Sequence, residues 1–397
     1  MKTSSNKEIR SSLSVLRSRL SALGFWLSAL GFWLLALSSC RGPEVILPPE
    51  PEQKGDTVQS EILGFYLLNE GNMGSNKATL DYYDFTTATY VRNIYSAANP
   101  SVAQSLGDVG NDLKIYGKRL YAVINCSNFI EVMSADDATH IGTIDIPNCR
   151  YLRFKDGYGY VTSYAGPVTI DPNYTQIGYV AKFDTATLQI IDTCHVGFQP
   201  DELEVVGNKL YVANSGGYMV PNYEHTVSVI DLNTFTETHR IDVAVNLHHL
   251  RIDKYGILWV SSRGDYYDIQ SALYAIDTRS DKLVADLQVP VSNMWLDGDS
   301  LYVYGSQFSY FTMTEELSYR IIDIRTKSVV SDAFIPDTVT VVHPYGLMVH
   351  PVTKDIYLTD AKNYVTPGTL HCFGNNGALK WSVRTGDIPA HMTFRYK

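Results

Sequence analysis

The sequence predicts an all-β fold, a seven-bladed β-propeller with four-stranded blades, in which the C-terminal strand completes the first blade. Two observations indicate this fold. One aromatic and aliphatic strand recurs seven times along the chain, and a second apolar strand recurs beside it. Four strands repeated at a period of about 45 residues are typical of propeller blades. Long helical patterns are absent, as expected for an all-β chain.

The first recurring strand sets the size of a blade. Its seven copies read GFYLLNE (64–70), RLYAVIN (119–125), YGYVTSY (158–164), KLYVANS (209–215), ILWVSSR (257–263), SLYVYGS (300–306) and DIYLTDA (355–361). Each copy precedes another alternating strand that often ends in Asp. The steps between Asp184, Asp231, Asp277 and Asp323 are 47, 46 and 46 residues.

The second recurring strand also has seven copies, which align without gaps and carry Leu or Met at the fifth position. They read VGNDLKI (109–115), NCRYLRF (148–154), QPDELEV (199–205), NLHHLRI (246–252), PVSNMWL (290–296), HPYGLMV (343–349) and IPAHMTF (388–394). GFYLLNE has no such strand before it, and IPAHMTF has no strand after it. We therefore expect these two to pair, since closure removes the exposed edges of an open sheet.

Residues 1–39 are interpreted as a lipoprotein signal peptide. A basic segment precedes the apolar run Leu20–Leu37, and Leu37-Ser38-Ser39-Cys40 resembles the bacterial lipobox. We expect Cys40 to be lipidated, residues 40–60, rich in Pro and acid, to form a flexible tether, and residues 61–397 to form the propeller. An uncleaved membrane helix is the alternative, because about 18 apolar residues nearly span a bilayer.

Charge and cysteine content limit the partners. The formal net charge is −10, and it becomes −14 without residues 1–39, which carry five basic residues and one acidic residue. Nucleic acid is therefore not expected as a partner. The remaining cysteines, Cys126, Cys149, Cys194 and Cys372, lack zinc-site spacing. They are interpreted as buried thiols or as one or two disulfides of an exported protein.

A ligand site is predicted on one face of the propeller, where the second-to-third strand connections are long and rich in aromatic residues. These loops, which include QFSYFTMTEEL (307–317), contribute Tyr174, Tyr218, Tyr223, Tyr266 and Tyr310. The third and fourth positions of the inner strands enter from the same face and contribute Arg150, Tyr151, His248, His249, Asn293, Tyr345 and His391, with His343 nearby. Rigid aromatic rings with convergent polar groups are typical of ligand pockets. Tyrosines that only pack their own loops are the alternative.

Catalytic motifs are absent: the chain has no GxSxG elbow, P-loop, HExxH or dinucleotide fingerprint. We therefore expect no enzyme, catalytic residue or resident metal. His248 and His249 are adjacent, so on a regular strand they are expected to point to opposite faces. Glu202, His249 and His391 share one ring position and could instead bind a cation or act as acid and base.

Taken together, the lipobox, the acidic tether and the blades with LYV and VIDL repeats resemble the YVTN/YncE-like β-propeller lipoproteins of Bacteroidota. The segment FYLLNEGNMGSNKATLDYYD (65–84) is typical of that group. The resemblance implies an outer-membrane, surface-exposed lipoprotein that binds cobalamin or another corrinoid and delivers it to a TonB-dependent transporter. Tyrosine faces and Asn, Gln or Arg groups suit a corrinoid, a broad amphipathic disc rimmed with amides.

Two other functions stay open at this point. A propeller lyase or hydrolase, similar to streptogramin-lyase-type enzymes, would use a His/Glu metal site. A glycan-binding or scaffold propeller would bind sugar or protein without a corrinoid.

Overall fold

The structure is a computed structural model that describes residues 51–55, 57, 61–102, 105–309, 314–336 and 338–397. In this part of the chain the backbone forms seven antiparallel sheets, which confirms the predicted seven-bladed propeller. The predicted signal peptide, Cys40 and Tyr310 lie outside the described residues. No helix within the described ranges is long and apolar enough to cross a membrane.

Blade 1 joins the two ends of the propeller. It contains β1 (Glu52–Gln53), β2 (Ile62–Asn69), β3 (Thr79–Asp84), β4 (Thr89–Val91) and the C-terminal strand β29 (Pro389–Tyr396), in the order β1-β4-β3-β2-β29. The Lys397 amide also donates to the Glu61 carbonyl at 2.9 Å. This arrangement confirms the predicted closure by the C-terminal strand. A short helix, α1 (Ile94–Ala98), follows β4.

The other blades are four-stranded, with the first strand of each nearest the axis. Blade 2 contains β5 (Gly110–Tyr116), β6 (Arg119–Ile124), β7 (Phe129–Ser134) and β8 (His140–Asp145); blade 3 contains β9 (Cys149–Lys155), β10 (Tyr158–Ser163), β11 (Tyr179–Asp184) and β12 (Ile190–His195); blade 4 contains β13 (Pro200–Val206), β14 (Lys209–Asn214), β15 (Thr226–Asp231) and β16 (Thr236–Asp242).

Blade 5 contains β17 (Leu247–Ile252), β18 (Ile257–Ser262), β19 (Ala272–Asp277) and β20 (Lys282–Asp286); blade 6 contains β21 (Asn293–Asp297), β22 (Ser300–Ser309), β23 (Thr314–Asp323) and β24 (Ser328–Ser331); blade 7 contains β25 (Pro344–Val349), β26 (Ile356–Asp360), β27 (Pro367–Phe373) and β28 (Leu379–Asp387).

The chain departs from the sequence expectations at two places. The predicted loop 307–317 is partly strand, because β22 and β23 form a long hairpin whose pairing continues to Ser309 and Thr314. Within the expected tether, Glu52 and Gln53 pair with Tyr90 and Thr89 on the outer edge of blade 1. Folded structure therefore begins before residue 61.

The hydrophobic core is a ring rather than a single centre. Among the described residues, seven apolar clusters each lie between two neighbouring blades. The cluster between blades 7 and 1 includes Phe65, Met348, Tyr357 and Phe394. The cysteines at 126, 149, 194 and 372 are free thiols, of which the last three are buried. Blade-to-blade burial of apolar surface thus holds the described fold without a disulfide.

A bulge at the start of the inner strand recurs in six blades. In β17, Leu247 pairs with Ser262 and Leu250 with Val260, so two residues, 248 and 249, face the single residue Ser261. Equivalent register shifts occur in β5, β9, β13, β25 and β29. A two-against-one bulge redirects side chains locally. It brings consecutive side chains such as Arg150 and Tyr151, or His248 and His249, to the axis.

Closure by β29 is expected to be essential for folding. A chain ending at residue 388 lacks the inner strand of blade 1 and opens the apolar cluster between blades 7 and 1, so we expect loss of the cooperative thermal transition followed by circular dichroism. A matched control moves residues 389–397 in front of residue 61 through a short glycine linker, which should restore the transition because Lys397 lies beside Glu61. A truncated chain that melts like the full chain would contradict this account.

Candidate functional site

A cavity opens at the axis on the face predicted to hold the site, and we refer to it as the mouth. It has a volume of about 280 Å³, and six of the seven blades contribute to its lining. A second cavity of about 510 Å³ adjoins it and extends over blades 5, 6 and 7. Both cavities are lined by His248, Arg263, Ser292, Ser306, Tyr345 and Tyr364. We include both cavities in the mouth, which therefore extends from the axis over blades 5, 6 and 7 rather than forming a narrow axial hole.

The expectation that His248 and His249 point to opposite faces is wrong. Both side chains line the mouth, and their ring centroids lie 3.7 Å apart. The bulge in β17 is the physical reason, because the period-2 alternation of a regular strand does not hold across it. The Ser261 hydroxyl accepts the His249 amide hydrogen at 2.9 Å. This hydrogen bond satisfies a backbone amide that has no partner in the strand pairing because of the bulge.

The same hydroxyl arrangement occurs in blades 3 and 7. The Thr162 hydroxyl oxygen accepts the Tyr151 amide hydrogen at 3.1 Å, and that of Thr359 accepts the Gly346 amide hydrogen at 2.6 Å. Each threonine also donates to the next inner strand, Thr162 to the Asp201 carbonyl at 2.8 Å and Thr359 to the Pro389 carbonyl at 2.6 Å. One side chain thus fixes the bulge and joins it to the neighbouring blade.

Asp201 joins two arginines below the mouth. Its side chain is 0% exposed and accepts hydrogen bonds from Arg150 Nε at 3.3 Å and Arg263 Nη1 at 2.9 Å. The Tyr164 hydroxyl also donates to it at 2.6 Å. The Arg150 guanidinium carbon lies 4.8 Å from the centre of the Tyr164 ring. Both guanidiniums are therefore held in fixed positions beside the cavity.

Deeper along the axis, Glu202 is the centre of a second ion cluster. Its carboxylate contacts Arg153 Nη2 at 2.7 Å, Arg251 Nη1 at 2.5 Å and His249 Nδ1 at 2.8 Å. Burial alone would raise the pKa of the Glu202 carboxyl, but the Arg251 and Arg153 charges outweigh it and hold that pKa well below its usual range. Glu202 is thus a carboxylate at neutral pH, and the imidazole donates to it from Nδ1.

Glu70 forms the opposite, acidic side of the mouth. The Tyr345 hydroxyl donates to it at 3.0 Å, and His391 Nε2 lies 3.1 Å from its other oxygen. Asn293 Nδ2 donates to the Tyr345 carbonyl at 2.9 Å and fixes that strand. The mouth therefore has arginines on blades 3 and 5 and a carboxylate on blade 1.

The structure brings together most of the predicted site residues. Arg150, Tyr151, His248, His249, Asn293, His343, Tyr345 and His391 line the first cavity, and Tyr266 lines the second. Tyr174, Tyr218 and Tyr223 line neither. Tyr174 packs on Phe198, Tyr223 is buried, and Tyr218 lies beside Tyr164 at the edge of the arginine pair.

Glu70, Tyr164 and Arg263 were not among the predicted site residues, although all three occupy one repeated position. Each is the seventh residue of its copy of the first recurring strand, where that strand reaches the mouth. In six blades the amide of this residue donates to the carbonyl of the first residue of the inner-strand repeat, as Arg263 does to Asn246 at 3.0 Å. The third and fourth positions of the inner strands were aligned and assigned to the predicted site face. The same treatment of the seventh position of each copy could have found these three residues.

The predicted cation set does not assemble. Glu202 pairs with His249, whereas His391 pairs with Glu70. Within the described residues, no group of three or more His, Cys, Asp or Glu side chains is placed to hold a metal ion.

Acid is expected to destabilise the mouth through His248. Burial, together with the Arg263 charge, holds the His248 pKa well below its usual range, so the unfolded chain takes up this proton first as pH falls below about 6.5. The free energy of unfolding should therefore fall between about pH 6.5 and 5, and His248→Gln should make this fall shallower. Urea unfolding at about pH 7, 6 and 5 measures it.

The control for His248→Gln is His195→Gln, which removes one imidazole from the exposed edge of blade 3. This variant should show the same fall in the free energy of unfolding with pH as the wild-type chain. Equal slopes in wild type and His248→Gln would show that His248 is not held neutral.

Solved structures share this fold at low identity. A hydrazine synthase chain from Kuenenia stuttgartiensis matches at 14% identity and a TM-score of 0.59, over 72% of this chain and 95% of that one. A quinoprotein alcohol dehydrogenase-like protein from Bacteroides thetaiotaomicron matches at 13% identity and a TM-score of 0.61, over 85% of this chain and 79% of that one. A candidate 6-phosphogluconolactonase from Bacteroides fragilis matches at 12% identity and a TM-score of 0.59, over 85% of this chain and 99% of that one.

These likenesses concern the propeller fold alone. Comparison with curated proteins gives no match. Residues 63–385 match a family described as a domain of unknown function, DUF5074, and this match spans most of the chain. The chain therefore belongs to the DUF5074 family.

Proposed function

We propose that this protein is a lipid-anchored binding protein of the outer membrane, facing the cell exterior, whose mouth binds cobalamin or another corrinoid. It delivers the ligand to a TonB-dependent transporter. The breadth of the mouth carries this proposal: one continuous surface takes aromatic and polar groups from six blades. A small ligand would contact one or two blades, whereas a disc with amides around its rim can contact all of them.

The aromatic side chains of the mouth suit a flat ligand. Tyr151, Tyr345 and Tyr364 line the first cavity, and Tyr266, which is 52% exposed, extends the second. Tyrosine offers a large apolar face at little conformational cost and a hydroxyl for an amide. Asn111 and Asn293 add amide groups between the rings.

The hydrogen bonds and ion pairs of the carboxylates in and below the mouth favour binding rather than turnover. Asp201 accepts from two guanidiniums, Glu202 from two guanidiniums and an imidazole, and Glu70 contacts a phenol and an imidazole. Carboxylates paired in this way stabilise a binding surface and are poorly placed to take up a proton from a substrate.

The direction of β1 supports delivery towards a membrane. Connections from the outermost strand to the next inner strand lie on the mouth side, so β4 runs towards the mouth and the antiparallel β1 runs away from it. The chain therefore enters Glu52 from the mouth side. With the lipid on Cys40, residues 41–51 reach about 40 Å at most. Such a short tether favours a mouth that faces the membrane and the transporter.

Corrinoid binding is expected to depend on Tyr266. Residues 41–397 mixed with a slight excess of cyanocobalamin should co-elute with the corrinoid colour in gel filtration. Tyr266→Ala should weaken the affinity about tenfold, because it removes an exposed ring from the mouth. The matched control is Tyr255→Ala, a 45% exposed tyrosine in the turn between β17 and β18 on the opposite face.

Colour that elutes wholly as free ligand from the wild-type chain would overturn the proposed ligand. Equal loss of affinity in Tyr266→Ala and Tyr255→Ala would instead overturn the location of the site. Release of a chemically altered corrinoid would indicate an enzyme.

A further inference from the structure

We propose that Arg150 and Arg263 form an oxyanion-binding subsite within the mouth and that this subsite fixes the orientation of the ligand. In a corrinoid the group bound there is the phosphodiester of the nucleotide loop. The identity of that ligand rests on the proposed function, whereas the oxyanion subsite rests on the geometry of the arginine pair.

The arginine pair carries more positive charge than its partner neutralises. Asp201 is the acid between Arg150 and Arg263, and it contacts both through opposite oxygens. Two guanidiniums against one carboxylate leave one positive charge. His248, which lines the same cavity, adds no charge at pH 7, because burial and the Arg263 charge hold its pKa well below its usual range.

Most of the hydrogen-bond donors of the pair remain unused. A guanidinium has five N–H donors. Across the described part of the chain, Arg150 uses only Nε and Arg263 only Nη1 for hydrogen bonds. Both side chains line the cavity and are partly shielded from solvent, with exposed fractions of 17% and 26%. Unused guanidinium donors in a shielded cavity are suited to an oxyanion with several acceptor oxygens.

The deeper ion cluster shows what a balanced arrangement looks like in this channel. Its three cations contact three carboxylates: Lys114 contacts Asp112, Arg251 contacts Glu202, and Arg153 contacts Glu202 and Glu204. The charges there cancel one for one, which is typical of a structural network. Among the described residues, Arg150 and Arg263 form an ion pair with no carboxylate other than Asp201, and this imbalance lies at the open end of the channel.

The opposite side of the mouth carries negative charge, so the site has a positive side and a negative side. Glu70 lies there with Tyr345 and His391, so a carboxylate on blade 1 faces arginines on blades 3 and 5. A ligand with an oxyanion at one end is favoured in one orientation and disfavoured in the reversed one. Amide N–H groups of the ligand suit the Glu70 side.

The test compares two corrinoids that differ at the anionic group. Cyanocobalamin carries the phosphodiester, and dicyanocobinamide lacks it together with the nucleotide. We expect Arg263→Gln to weaken cyanocobalamin binding about 10- to 100-fold while changing dicyanocobinamide binding far less. The matched control, Arg240→Gln on the outer wall of blade 4, should leave both affinities unchanged.

Titration of the wild-type chain with inorganic phosphate, followed by calorimetry, tests the subsite without any variant. Phosphate binding that is lost in Arg263→Gln supports the subsite even when no corrinoid binds. The absence of corrinoid binding would then overturn only the proposed ligand. Absence of phosphate binding to the wild-type chain, or equal weakening of both corrinoids in Arg263→Gln, would overturn the oxyanion subsite.

Discussion

The bulge at the start of six of the seven inner strands is the constraint on which the mouth depends. A regular strand presents alternate side chains to the axis, so seven inner strands would give one ring of side chains at this level. Two residues facing one give two side chains per strand, and His248 and His249 are the clearest case. The extra backbone amide needs an acceptor, which Ser261, Thr162 and Thr359 supply in three blades. The chemistry of the mouth thus depends on hydroxyl groups one strand away.

Ring closure turns these local features into a rigid platform. Each inner strand packs between two neighbours, and Gly346 shows how close the approach is, since a Cβ there would lie 2.2 Å from the Ala390 carbonyl oxygen. The apolar clusters between blades hold the strands, while the ion cluster around Glu202 fills the channel below the mouth. A binding surface supported in this way loses little conformational freedom when a ligand arrives.

The strands and their repeat were predictable from the sequence, whereas the bulges and the residues at the mouth ends of the second strands were not predicted. Leu or Met at the fifth inner position located every inner strand, and the positions before it identified Arg150, Tyr151, Tyr345 and His391 at the mouth. The close approach of the His248 and His249 rings was not predictable from alternation, because no residue pattern in the sequence marks the bulge that shifts the strand register. Arg263 and Glu70 occupied an aligned position that was read only as part of a strand. The pairing of β1 depends on contacts with distant residues, which composition does not reveal.

Hydrogen exchange of residues 41–397 with and without cyanocobalamin tests most directly the claim that the mouth is the ligand site. We expect slower exchange in the mouth segments 246–249, 263–271, 343–346 and 361–364, and unchanged exchange in the opposite turns 253–256, 297–300 and 350–355. Protection confined to the opposite face or the outer wall, or no protection at all at saturating ligand, would contradict this claim.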